Sequence, residues 1–165
     1  MTEPNQLRTR ESPRQIIFED FKIDLPISGG WGYDIENACV IDKNDSTVIK
    51  GIPFDGVGVE YVFVEKRIYE EMIIFRAAHE KYAGIRWNQL VQQTQFFDNK
   101  HYDVLKYSVE GFEDSIWEEL VTRFQEIQKS GKPELMAELD AYRESKTYRF
   151  EREFYFDITS FYGQF

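Results

Sequence analysis

The chain has 165 residues, 42% of them apolar and 16% aromatic, which suits one domain with a sizeable core and excludes a largely disordered chain. Twenty basic against thirty acidic residues leave a net charge of −10, which argues against attraction to nucleic acid or an anionic membrane and permits a basic protein partner. No apolar run approaches the roughly 20 residues that span a bilayer, and the polar start lacks a signal-peptide core, so a soluble cytoplasmic protein is expected.

Residues 1–14 are polar, carry Pro4 and Pro13 and show no period, so they read as a flexible N-terminal segment ahead of a single domain at 15–165. Residues 15–24 are dense in β-formers, with Ile17, Phe21 and Ile23 on one parity, and predict a first strand. The stretch 25–33 interleaves three glycines with Trp31 and Tyr33, a pattern that belongs to a shaped loop. Two β-branched runs at 37–42 and 46–50, split by the turn-forming Lys43-Asn44-Asp45, predict a β-hairpin. Such a hairpin brings the loop before it and the glycine-rich loop 51–58 after it to one end. Trp31, Tyr33, Asp34, Phe54 and Asp55 then share a candidate binding rim.

Residues 57–64 alternate Val57, Val59, Tyr61 and Phe63 with Gly58 and Glu60 and predict another strand. From Glu65 the period becomes helical through Ile68, Met72, Phe75, His79 and Tyr82, supported by i,i+4 charge pairs, and the predicted helix stops at Gly84. Trp87, Leu90, Val91 and Thr94 fit either a short helix or an edge strand. Asp98-Asn99-Lys100 is a turn, and 103–110 is a strand with Leu105, Tyr107 and Val109 on one face. Ser115 and Glu118 have capping-box spacing and open a helix whose stripe runs through Ile116, Leu120, Phe124 and Ile127, ending at Gly131. Pro133 starts a further helix at 134–144. The C-terminal run places Tyr148, Phe150, Phe154, Phe156 and Ile158 on one parity of a strand, and Arg152, which breaks that row, is assigned to a sheet edge.

These elements give an α+β fold, a mostly antiparallel sheet covered on one face by three to four helices. No catalytic constellation, cofactor motif or metal-ligand spacing is complete. The glycine loop lacks the G-x-G-x-x-G spacing, His79 and His101 are isolated, and Ser28 has no base near it in sequence. Cys39, the only cysteine, excludes an internal disulfide and reads as a buried strand residue. The functional expectation is a non-enzymatic protein-binding module, inhibitor-like or immunity-like, that engages a basic partner through the rim. The alternative is a small-molecule binder or hydrolase with Trp31 and Tyr33 as a stacking floor and Asp34 or Asp55 as acid or base. The chain is expected to be a monomer, or a homodimer closed by Phe161, Tyr162 and Phe165.

Overall fold

A computed structural model describes residues 3–163. One five-stranded mixed sheet forms its centre. β1 (Ile27–Gly29) is antiparallel to β2 (Cys39–Ile41), which runs parallel to β5 (Tyr148–Asp157); β5 is antiparallel to β4 (Lys100–Glu113) and β4 to β3 (Tyr82–Phe97). The spatial order is therefore β1-β2-β5-β4-β3. The α+β class and the largely antiparallel sheet are as read from the sequence.

The first predicted strand is instead α1 (Pro13–Phe21). Ser12 caps it, its hydroxyl accepting the Gln15 amide at 3.2 Å, and Pro13 supplies a ready-made first-turn φ. Lys22, left-handed at φ 59°, ends it. Local capping overrides the alternation of Ile17, Phe21 and Ile23.

The expected hairpin of 37–42 with 46–50 does not form. β2 takes the upstream segment β1 as its antiparallel partner, and 46–50 is irregular chain held by turns in which Asp45 accepts the Thr47 amide and hydroxyl. The strand predicted at 57–64 is likewise helix, the first part of α2 (Gly56–Tyr69). Its buried face is Gly56, Glu60, Phe63, Val64, Arg67 and Ile68, a helical spacing that continues to Glu71 and Met72 in the wider π-helical turn Glu70–Ile74. Three of those positions are charged, so hydrophobicity alone does not display the stripe. The expected continuation of this helix to Tyr82 gives way to a short 3₁₀ turn, Ala78–Glu80, and Tyr82 opens β3.

α1 and α2 pack one face of the sheet, burying Ile17, Phe63, Val64, Ile68 and Met72 against Leu105, Tyr107, Val109, Phe154 and Phe156. α3 (Asp114–Ser130) and α4 (Met136–Lys146) do not join them there. They enclose Phe112 with Leu120 and Leu139, and Phe112 points away from Gly111, whose α-carbon faces Met72. The pair thus closes over one end of the opposite face. Gly131 at φ 65° ends α3 as expected, but no side chain caps its start: the cap position is Glu113, and Ser115 lies inside the helix.

At Arg152 β5 is paired on one side only, with β4 through Tyr107, because its pairing with β2 is confined to Phe156 and Asp157. The side chain nevertheless sits on the inner face of β5 and is buried in the core.

Candidate interaction surface

The five residues expected to share a rim fall in two separate localities along α2. Asp55 caps the start of α2, accepting the Gly58 amide at 2.9 Å, and Phe54 meets Phe161 edge-on at 5.4 Å between centroids. Tyr33 donates to Glu71, beyond the far end of α2. Glu71 lies sixteen positions after Asp55 along the helix, about 24 Å at 1.5 Å per residue. The hairpin that would have joined the two loops is absent, so Trp31, Tyr33 and Asp34 form one locality and Phe54 and Asp55 another.

In the first locality the aromatics are built into the fold. Trp31 is buried against Phe63, and its indole N–H donates to the Thr9 hydroxyl at 3.0 Å. The Tyr33 hydroxyl accepts the Leu7 amide at 3.0 Å, and its ring lies 3.8 Å from the Arg67 guanidinium, which Phe154 flanks at the same distance on another side. Arg67 donates to the carbonyls of Trp31 (3.0 Å) and Glu153 (2.9 Å) and to the Glu71 carboxylate at 3.3 Å. Glu71 also takes Arg152 at 3.0 Å, and Arg152 reaches Glu3 and the Pro4 carbonyl. Burial lowers the Arg67 pKa from its ordinary value, against the pull of Glu71; burial also holds the Tyr33 hydroxyl above the usual phenol range. Residues 3–12 are tied along this seam, and the expected domain boundary at 14 falls inside α1. Open clefts of about 590 and 580 Å³ flank the tied segment, the first lined by Leu7, Arg8, Glu71 and Arg76, the second by Arg8, Trp31, Tyr33 and Asp34.

The acids are engaged locally. Asp34 accepts the Asn37 amide at 2.8 Å and its side chain at 2.9 Å in a turn, while Asp55 serves as a helix cap. His79 is exposed beside Glu80, and His101 stacks on Tyr162 at 3.7 Å. Among the described residues no group of three or more His, Cys, Asp or Glu side chains is placed to hold a metal ion. No helix is long and apolar enough to cross a membrane among them. Phe161 packs on the core, Tyr162 is half exposed, and Phe165 lies outside the described residues.

The sequence reading left β3 undecided, and it is the most open element of the sheet. It is sixteen residues long, lies at the sheet edge, and is exposed at every position from Leu90 onward. The hairpin to β4 turns through Asp98 and Asn99, both left-handed at φ 51° and 62°, the geometry of a two-residue type I′ turn. In such a hairpin the closing pair, here Phe97 and Lys100, is hydrogen-bonded. Alternation then directs the backbone N–H and C=O of Phe96, Thr94 and Gln92 away from β4, toward the free edge. Residues 87–97, Trp-Asn-Gln-Leu-Val-Gln-Gln-Thr-Gln-Phe-Phe, contain no charge, glycine or proline, in a chain that is 30% charged. Leu90, Val91, Phe96 and Phe97 are 43 to 64% exposed along it. Charged edge residues and prolines that keep exposed strands apart are missing from this run, which carries one register shift, between Gln89 and Val91, and is regular from Val91 to Phe97.

Comparison with known proteins gave no match to a family model, to a curated protein or to a solved structure.

Proposed function

We propose that the chain is a non-catalytic protein-binding module, inhibitor-like or immunity-like, that engages its partner by strand addition along β3. The observation that carries this reading is the uncharged run at 87–97, exposed from Leu90 onward, on a sixteen-residue edge strand. Main-chain hydrogen bonds supply the pairing in this mode, and alternate side chains supply the selectivity. Leu90, Val91, Phe96 and Phe97 are the side chains in reach of an added strand. The net charge of −10 favours an added segment flanked by basic residues, with salt acting mainly on encounter rate.

Selection from a library of random peptides long enough to span the edge tests the reading. The immobilised protein should enrich β-branched and aromatic residues in alternation, with lysine or arginine at the flanks. Gln92→Pro should abolish that enrichment, because it deletes an outward amide while leaving the bonds to β4 in place. Peptides that are retained equally by the proline variant would defeat the reading.

A further inference from the structure

We propose that the strand added at β3 carries a lysine or arginine opposite Thr94, and that the buried carboxyl pair Glu60–Asp103 beneath the edge receives it. This rests on the strand-addition reading above and names the side chain that the edge selects.

The regular part of β3, Val91 to Phe97, fixes where an antiparallel strand would sit. Its outward residues are Gln92, Thr94 and Phe96, each able to exchange two backbone bonds with the residue opposite, about six in all. Their side chains share a face with those of their β4 partners Leu105, Asp103 and His101, and Leu105 belongs to the core that α2 covers. A residue placed opposite Thr94 projects onto that same face. Thr94 is the shortest of the three side chains and is exposed, so it leaves the lowest passage from the edge inward.

The passage leads to an anion without a cation. Thr94 Oγ1 donates to Asp103 at 3.0 Å, and Asp103 is only 6% exposed. Glu60, on the buried face of α2, comes within hydrogen-bonding reach of Asp103 and is 1% exposed, yet neither of its carboxyl oxygens has a donor. Two carboxyls this close share one proton at neutral pH and hold one negative charge between them. Tyr107 on β4 and Cys39 on β2 are near Glu60, and neither is cationic. Among the described residues no lysine, arginine or histidine forms an ion pair with Glu60 or Asp103. Glu71, equally buried, has two guanidiniums. A charge taken out of water without a partner is costly, and a cation brought by another chain offsets that cost.

The distances suit such a side chain. An added strand lies about 4.8 Å beyond β3 and about 10 Å from β4, a span that the four-carbon stem of a lysine closes together with the Asp103 side chain.

Synthetic nine-residue peptides alternating valine and threonine, with arginine pairs at both ends, test the proposal. One lysine is moved through the positions, each peptide is matched by its norleucine counterpart, and binding to the full chain is read by fluorescence anisotropy. At one position lysine should bind at least about tenfold tighter than norleucine. In the double variant Glu60→Gln with Asp103→Asn, which removes the charge while keeping the shapes, that ratio should fall to near one with the norleucine peptide unaffected. Thr94→Lys should abolish the ratio as well, by setting a cation over Asp103 within the chain. Its position is exposed, so it keeps the fold and carries the test if the double variant does not. A ratio near one at every position of the wild type, or a ratio that survives in the variants, overturns the proposal. Peptides that bind without lysine preference and are lost in Gln92→Pro remove the cation site and leave strand addition standing. No binding by any peptide removes both.

Discussion

Arg152 and Glu71 meet at 3.0 Å although 81 positions separate them in the chain, and both side chains are almost wholly buried. Glu71 is the shared anion of two guanidiniums, Arg67 and Arg152, and also receives the Tyr33 hydroxyl. This contact joins the end of α2 to the middle of the sheet and, through Arg152, to residues Glu3 and Pro4.

Removing that anion should be severe. Glu71→Gln leaves the buried Arg67 without its carboxylate and Arg152 with Glu3 alone, and breaking a buried pair costs about 3–5 kcal/mol. The expected outcome is a fall in Tm of about 10 °C or more by calorimetry. Arg67→Met should cost less than Glu71→Gln, since it removes a buried charge and leaves Glu71 paired with Arg152. Equal Tm values for wild type and Glu71→Gln would refute the role given to the network.

Glu60 and Glu70 set a pH dependence of the opposite sign to ordinary surface acids. Both carboxyls are buried and lack a hydrogen-bond donor among the described residues. Burial, reinforced by the neighbouring Asp103, pushes Glu60 up to about 9; burial, with Asp20 alongside, does the same to Glu70, also to about 9. The unfolded chain releases these protons near pH 4.5, while the folded chain keeps them until near 9, so stability falls as pH rises across that window. Thermal melts should therefore give a higher Tm at about pH 5.5 than at about pH 8. Glu60→Gln, which can donate to Asp103 without ionising, should raise the Tm at the upper pH and flatten the slope. Asp45 and Glu110, held below the usual carboxylate range by Arg14 and by Arg149 with Arg86 respectively, lose their contribution only at lower pH.

Gly84 has no room for a side chain. It sits at φ 58°, and a methyl group built on it would approach the Trp117 ring to 2.5 Å. Gly84→Ala should destabilise the fold by about 2 kcal/mol or more through strain and displacement of Trp117. The same variant carrying Trp117→Leu should recover part of the loss in urea unfolding, and no recovery would place the whole cost in the backbone.

Asp55 is a helix cap, and its substitutions should separate stability from binding. Asp55→Ala should cost about 1 kcal/mol, Asp55→Asn a few tenths, and neither should alter peptide selection at β3. A loss of binding in Asp55→Asn would return this residue to the interaction surface.

Elements whose signal is local were legible in the sequence. The C-terminal strand shows its alternation because Phe150, Phe154 and Phe156 face one core, the stripe and Gly131 mark α3, and the Asp98-Asn99 turn marks the β3–β4 hairpin. α2 was obscured because Glu60, Arg67 and Glu71 occupy its inward face. A hydrophobic period disappears when buried charges stand in it, and only the partners that neutralise or share protons with them restore the pattern. The burial of Arg152 was hidden for the same reason, as its counter-ion comes from beyond the far end of α2.

The sequence by itself determined the α+β class, the absence of an internal disulfide, and the strands and helices whose apolar faces meet neutral neighbours. Only the tertiary structure decided that β2 pairs with β1 and β5, that Tyr33 and Asp55 stand apart, and that β3 is left open. Those outcomes depend on which distant segment satisfies a strand's backbone groups or a buried charge. That choice is made by global packing, because many segments of the chain offer the same hydrogen bonds and only one arrangement buries the whole core around them.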